Sequence, residues 1–403
     1  MIRLLLILTT LLPDTAATEV YLQGQYAQGT MLIEGDRQAG FMVGAQSVYD
    51  FNPKHRVFGT ASYRWQQSHG NRWVENADYE RVYPYLTCDT VGGGMRYEQY
   101  SFHGGYRMLL DHWLWFLNIQ FRAEQSYRQV DPRPNNKAIN MNIGGGAGYV
   151  GVGYAVGASL QGGRYKQTNT MHFYSELGES LIYHTAGTRS DYARFTGSHK
   201  QAYYHGGQAA VSLWLLPRST GWQAAADYHY TATTKELQDN TYIPLGTVQT
   251  HDLTATCGFL TPVWSATVQG GIALRRGIQQ FYGQVANNYY TPLNEQLTYS
   301  ENAWSVAAAG SYTAYLPVGR LTANASVRYM GKGVNSSLPV HPLFDAMGEE
   351  LESAQCGYEV ALRYQFPMKG KYGWFVRLSA GNTHYLLTQH YQCHTVLSTG
   401  MCF

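Results

Sequence analysis

The stretch WLWFLNIQFRAEQ, residues 113–125, limits what the chain can fold into more than any other. Trp113, Trp115, Leu117, Ile119, Phe121 and Ala123 share one parity, and Asn118, Gln120, Arg122 and Glu124 share the other. Successive side chains of a strand point to opposite sides, so this is a strand with one apolar and one polar face. In a soluble sheet the apolar face packs on a core and the polar face meets water. In a membrane barrel the faces are exchanged, with apolar side chains in lipid and polar ones around the lumen.

The alternation recurs. Trp222, Ala224, Ala226, Tyr228 and Tyr230 oppose Gln223, Asp227 and His229 in 222–230. The segments 264–275, 321–329 and 357–366 repeat it, with Arg275, Arg328, Glu359 and Arg363 on the polar parity. No comparable segment shows a convincing 3.6-residue period, so the chain is all-β.

The connections fall into two kinds. Tight ones lie at 50–55, 109–112, 150–152, 216–221, 260–263, 316–319 and 367–373, where Pro, Gly, Asn and Asp supply turn geometry. Long polar ones lie at roughly 68–94, 126–138, 165–202, 232–248, 277–302 and 332–355, and the two kinds alternate. A β-sandwich has no reason to sort its loops this way, whereas a transmembrane barrel has short turns on one side of the membrane and long loops on the other. Trp113, Trp115, Trp214, Trp222, Trp264 and Trp374 lie near tight turns, as an interfacial aromatic girdle would. Fourteen segments from 38–50 to 373–386, with end pieces 19–28 and 391–403, predict an antiparallel up-and-down barrel of about sixteen strands. Fourteen is the alternative if an end piece fails to pair. The Trp113 parity then faces lipid, and Arg122 and Glu124 face the lumen.

The chain opens MIRLLLILTTLLPDTAATEV, with Arg3, an apolar run Leu4 to Leu12 and small residues Thr15, Ala16 and Ala17. This reads as a signal peptide over 1–17, with a barrel domain over 18–403. Charged residues make up only 14%, while there are 34 Tyr and 43 Gly. That balance suits membrane interfaces, where Tyr satisfies both an apolar ring and a polar tip. A net charge of +2 carries no nucleic-acid signal. The five Cys lack any CxxC spacing, so no zinc or redox motif is read from them.

The chain ends LSTGMCF. A terminal Phe403 with Met401 and Leu397 on its parity resembles the terminal signal of Gram-negative outer-membrane β-barrel proteins, with Thr399 and Thr395 as departures. The resemblance implies an outer-membrane location with both termini periplasmic. The Tyr- and Gly-rich style is similar to an uncharacterised Bacteroidota barrel family, some members of which are encoded near TonB-dependent receptors. It brings no functional residues.

GAGYVG at 146–151 matches GxGxxG, but strand-like residues lie on both sides and no helix follows, so a dinucleotide site is rejected. Gly144, Gly145, Gly146, Gly148, Gly151, Gly153 and Gly157 crowd two strands. Two readings stand: an inward-folded loop, 165–202 first, packs there, or the wall curves. The expected lumen carries Arg64, Arg107, Arg122, Arg275, Arg328, Arg363 and Arg377 against Glu124, Asp227, Asp252 and Glu359, with His229 beside them. Such arginines either favour anions in an open pore or pair with acids and fill the lumen. Asp227 and His229 are expected near the outer end of one strand, with His251 and Asp252 beginning the next. An Asp-oriented His can act as a general base, but no GxSxG accompanies the set, so paired rim residues are the reading and no enzyme is inferred. His172, His184, His199 and His205 lie around 165–202 without a compact ligand spacing, so they are read as solvated polar residues and no cofactor or metal is inferred, with metal or haem contact the lesser alternative. The function read from this is passage of small solutes, or a subunit beside another outer-membrane transporter or lipoprotein. A plugged structural, adhesion or receptor-partner barrel is the alternative.

Overall fold

The computed structural model describes residues 17–402 except 176–177, 188, 198–199, 239–240, 287–288 and 368–371. The proposed leader and the terminal Phe403 therefore lie outside the described residues, apart from Ala17.

Twenty strands run through the described residues: β1 (Ala17–Gly29), β2 (Arg37–Asn52), β3 (His55–His69), β4 (Asn71–Val74), β5 (Thr87–Gly93), β6 (Arg96–Leu110), β7 (Trp113–Tyr127), β8 (Arg133–Val150), β9 (Tyr154–His172), β10 (Tyr183–Ala186), β11 (Ser190–Asp191), β12 (Gln201–Pro217), β13 (Gly221–Gln238), β14 (Tyr242–Leu260), β15 (Trp264–Ala286), β16 (Tyr289–Leu316), β17 (Gly319–Ser336), β18 (Gln355–Gln365), β19 (Gly373–Tyr385) and β20 (His390–Cys402). Sixteen of them close an antiparallel barrel, and β4, β5, β10 and β11 form a separate sheet in the order β11-β10-β5-β4. The seam is β1 on β20, in register from Glu19 opposite Cys402 to Gly29 opposite Gln392. Closure leaves no sheet edge, the condition for strands to sit in lipid.

The parity is that of a barrel in lipid. Leu117 is 64% exposed on β7 and Leu160 66% on β9, while Leu114 on the opposite parity of β7 is 1% exposed. A spanning strand needs only about 9–11 residues, yet β15 has 23 and β16 has 28. The strands therefore continue well past the apolar band at the long-loop end. Of the long connections read from sequence, 126–138, 232–248 and 277–302 are mostly strand. Polar stretches such as TATTKELQ in β13 pair as readily as apolar ones, because outside lipid the ladder needs no alternation. Irregular connections remain, in their described residues, at 70–95, 173–200 and 337–354, between β3 and β6, β9 and β12, and β17 and β18.

Trp113, Trp115, Trp222, Trp264 and Trp374 are exposed beside the short turns, but Trp214 is not part of this girdle. It is 2% exposed and points inward, in a cluster with Leu114, Phe116, Ala155, Leu216 and Ala225. In LWLLP every position is apolar, so sequence could not decide its face.

Candidate functional site

The three irregular connections fold into the lumen as a plug. They carry β4, β5, β10, β11 and two short helices, α1 (Tyr79–Val82) and α2 (Asp345–Glu352). Plug residues Val82, Tyr83, Tyr85, Leu86, Phe195, Phe344 and Met347 share one buried core with the wall residues Ala138, Tyr165, Tyr204, Leu237, Ile243 and Val248. These wall positions face inward. One register shift between Lys235 and Glu236 makes Leu245 the extra residue of β14. It flips the parity, so that Ile243 faces in although Leu253 on the same strand faces out.

Glycines receive the plug, but not the ones expected. A Cβ at Gly246 would lie 2.5 Å from the Tyr85 ring, and one at Gly277 3.0 Å from its hydroxyl. The Gly144–Gly157 cluster instead accommodates side chains of the wall itself, with Phe116 against Gly146 and Trp214 against Gly148 and Gly157. From the connection after β9, Ala186, Tyr192 and Phe195 lie in the plug core and not on that cluster.

A buried ion cluster fastens plug to wall. Arg128, just beyond β7, binds Glu75 at 2.8 Å and also Asp89, and all three side chains are at most 2% exposed. Burial pushes the Glu75 carboxyl well above the ordinary carboxylate range, with the Asp89 charge adding to it. Burial works the same way on Asp89, but hydrogen bonds from Glu75 and the Gly92 amide and the charge of Arg128 outweigh it and hold Asp89 low. Glu75 Oε2 is buried and without a hydrogen-bond partner. The opposite directions of the two carboxyls fit a protonated Glu75 beside an ionised Asp89 and a charged Arg128, a neutral set. Asn136 and Asn169 on the wall donate to the Glu75 carbonyl at 2.6 and 2.7 Å. Lys235 on β13 donates to the Leu86 carbonyl. On α2, Glu350 accepts from the Leu32 and Ile33 amides at 2.8 and 3.1 Å, tying the plug to the β1–β2 connection.

The twelve lumen candidates all lie on the parity opposite to the exposed apolar side chains. Arg122 binds Asp78 of the plug at 2.5 Å and lies 3.7 Å from Glu124. Arg363 pairs with Glu19 at 2.6 Å, and Arg275 reaches Thr250 at 3.3 Å. Arg107 is buried, and Arg64 has its Nε buried. Arg328 and Arg377 are exposed to the lumen, and Glu359 is half-buried. The arginines are thus a mixture, some paired and some open.

The hairpin does bring His229 and Asp252 together, but at mid-strand and not at the rim, and Asp227 and His251 turn to other partners. Asp227 is the seventh residue of an 18-residue strand, counting from the short-turn end, and accepts from Ser212. His229 stands opposite Asp252 in register, at mid-strand. His251 faces outward and meets the Tyr228 hydroxyl at 2.8 Å. Sequence placed the set at the outer rim because it ended β13 at Tyr230, eight residues early. The histidines also disperse: His184 is fully buried in β10 and therefore not solvated, His205 lies 3.7 Å from Glu236, His172 ends β9, and His199 lies outside the described residues. Among the described residues, no group of three or more His, Cys, Asp or Glu could hold a metal ion.

Fold and lumen together define a sixteen-stranded transmembrane β-barrel closed by its own connections. The chain belongs to a family of unknown function, DUF6850, whose profile matches residues 6–401. No curated protein matches the sequence. Among solved structures it is similar to the ferric preacinetobactin receptor BauA of Acinetobacter baumannii, at 9% identity, covering 97% of this chain and 80% of that one with a TM-score of 0.42. It is similar to a FadL homologue of Pseudomonas aeruginosa at 8% identity, with 96% and 89% covered and a TM-score of 0.43. The translocator domain of the autotransporter NalP of Neisseria meningitidis gives 12%, with 99% and 92% covered and a TM-score of 0.35. These likenesses are too slight to carry anything over to this chain.

Proposed function

We propose that the protein is an exported outer-membrane barrel, with short turns and both termini in the periplasm, whose lumen is closed at rest. It works as a subunit beside another outer-membrane transporter or lipoprotein, not as a freely open pore or an enzyme. The observation that carries this reading is the core shared by plug and wall. Val82, Leu86, Phe195, Phe344 and Met347 are each at most 2% exposed. At roughly 1.5–3 kcal/mol apiece, exposing these five costs on the order of 10 kcal/mol, so about one molecule in ten million would be open. Passive diffusion through such a barrel is negligible. Gated passage is the second reading, favoured by lumen side chains such as Arg328 and Arg377 that stand open to solvent.

The test is planar-bilayer recording of purified protein, with a variant in which residues 72–93 are replaced by a short linker. A silent wild type and a conducting variant are expected, together with a second membrane protein co-purifying in mild detergent. Steady wild-type conductance would end the closed-barrel reading. A wild type that opens on solute addition would favour the gate.

A further inference from the structure

The inner faces of β17–β20 enclose a recess of about 220 Å³ bordered by Ser326, Arg328, Met330, Glu359, Thr383 and His394. It is bordered by Gly357, an inward position without a side chain. Gly357 lies between Arg328 on one neighbouring strand and Thr383 on the other, and Gly381 lies against the His394 ring. At about 30 Å³ per water the space holds roughly seven waters, the bulk of a small organic solute.

Two opposite charges face this recess without meeting. Arg328 has one polar contact, to the Met330 sulfur at 4.0 Å, and Glu359 forms no ion pair among the described residues. Arg328 stands opposite Gly357, and Glu359 opposite Ser326. They are therefore diagonal neighbours, about 7–8 Å apart at the backbone. In this structure the two side chains do not close that gap on each other, and the recess between them has room for a short molecule carrying both charges. Arg363, one inward step beyond Ala361, is already taken by Glu19 at 2.6 Å. The guanidinium left open is a planar fork suited to a carboxylate, and the open carboxylate suits an ammonium.

We propose that this recess binds a small zwitterion of the amino-acid or dipeptide class, its carboxylate on Arg328 and its ammonium on Glu359, with Thr383 and Ser326 as neutral partners. The site is a feature of the wall, and its occupancy does not depend on whether the plug opens.

Calorimetric titration of the full chain in detergent micelles tests it, using glycine, alanine and glycylglycine as probes and acetate and methylammonium as single-charge controls. Saturable zwitterion binding is expected, at least tenfold tighter than either control. Arg328→Gln and Glu359→Gln should each weaken it about tenfold or more, and Glu359→Gln should erase the preference for glycine over acetate. Gly357→Leu should abolish binding by filling the recess, with barrel integrity checked by heat-modifiable gel mobility. Absence of binding by all three zwitterions at millimolar concentration would overturn the proposal. So would equal binding of acetate and glycine that is indifferent to Glu359→Gln, the mark of a plain anion site.

Discussion

Arg128 offers the sharpest handle on how the plug is held. Its side chain is 1% exposed and neutralises Asp89, which is fully buried. Arg128→Met keeps the length of the side chain and removes the charge, leaving Asp89 without its cation. Breaking a buried pair from one side costs about 3–5 kcal/mol, because the remaining charge stays desolvated. Set against an opening free energy on the order of 10 kcal/mol for the wild type, this shifts the open population roughly a hundred- to several-thousand-fold. The direct assay is amide hydrogen exchange read by mass spectrometry on peptides covering 71–93, with peptides from β7 as internal reference. Plug amides should lose protection by that factor while β7 keeps its own, since the wall is held by its ladder and not by Arg128. Unchanged plug protection in a correctly closed barrel would refute the view that the ion cluster fastens the plug. A matching loss in β7 would show that Arg128 supports the whole barrel instead.

Three further outcomes follow from the same geometry. Glu75 has a raised carboxyl, so the folded plug holds a proton that the released plug gives up. The grip therefore weakens as pH rises from the ordinary carboxylate range through the folded value, while the low Asp89 makes it weaken again as pH falls below that range. In Glu75→Gln the alkaline limb should vanish from a pH series of hydrogen exchange and the acid limb remain. Leu117→Arg places a charge on the lipid face and should destabilise the barrel by about 2–4 kcal/mol if it lies near the bilayer midplane, measured by urea unfolding in lipid vesicles. Trp214→Ala should cost about 3–5 kcal/mol in the same assay, despite Trp214 being one of several tryptophans near the short turns, because its ring is buried against Gly148 and Gly157. A cost near zero would put Trp214 back in the lipid girdle.

How much of this was legible in the sequence depended on distance along the chain. Alternation is local, so Leu117, Val268 and Leu362 on one parity and Arg122, Glu359 and Arg363 on the other revealed the strands, their faces and the count of sixteen. The plug is non-local. Glu75, Asp89 and Arg128 meet although up to 53 residues separate them, and no spacing records that. One signal could have been read. Val82 to Leu86, VYPYL, is an apolar run inside a connection otherwise polar, and a solvated loop has no use for it. Gly246 and Gly277 were equally silent, since nothing in their strands sets them apart from the other glycines and the Tyr85 side chain that each meets lies far away in the sequence. Strand ends were misjudged wherever pairing outlasts the apolar band, which carried Asp227 and His229 from the rim to mid-strand.

Spin-label accessibility tests both the exchanged faces and the closed lumen in one experiment. Single cysteines would be placed at Leu117, Gln120 and Thr87 after replacing the five native Cys, two of which, Cys257 and Cys393, are exposed. In lipid vesicles the label at 117 should relax with oxygen and ignore a water-soluble nickel chelate, the label at 120 should do the reverse, and the label at 87, inside the plug, should be shielded from both. Nickel access at 117 with oxygen access at 120 would contradict the assignment of faces, and nickel access at 87 would contradict the closed lumen.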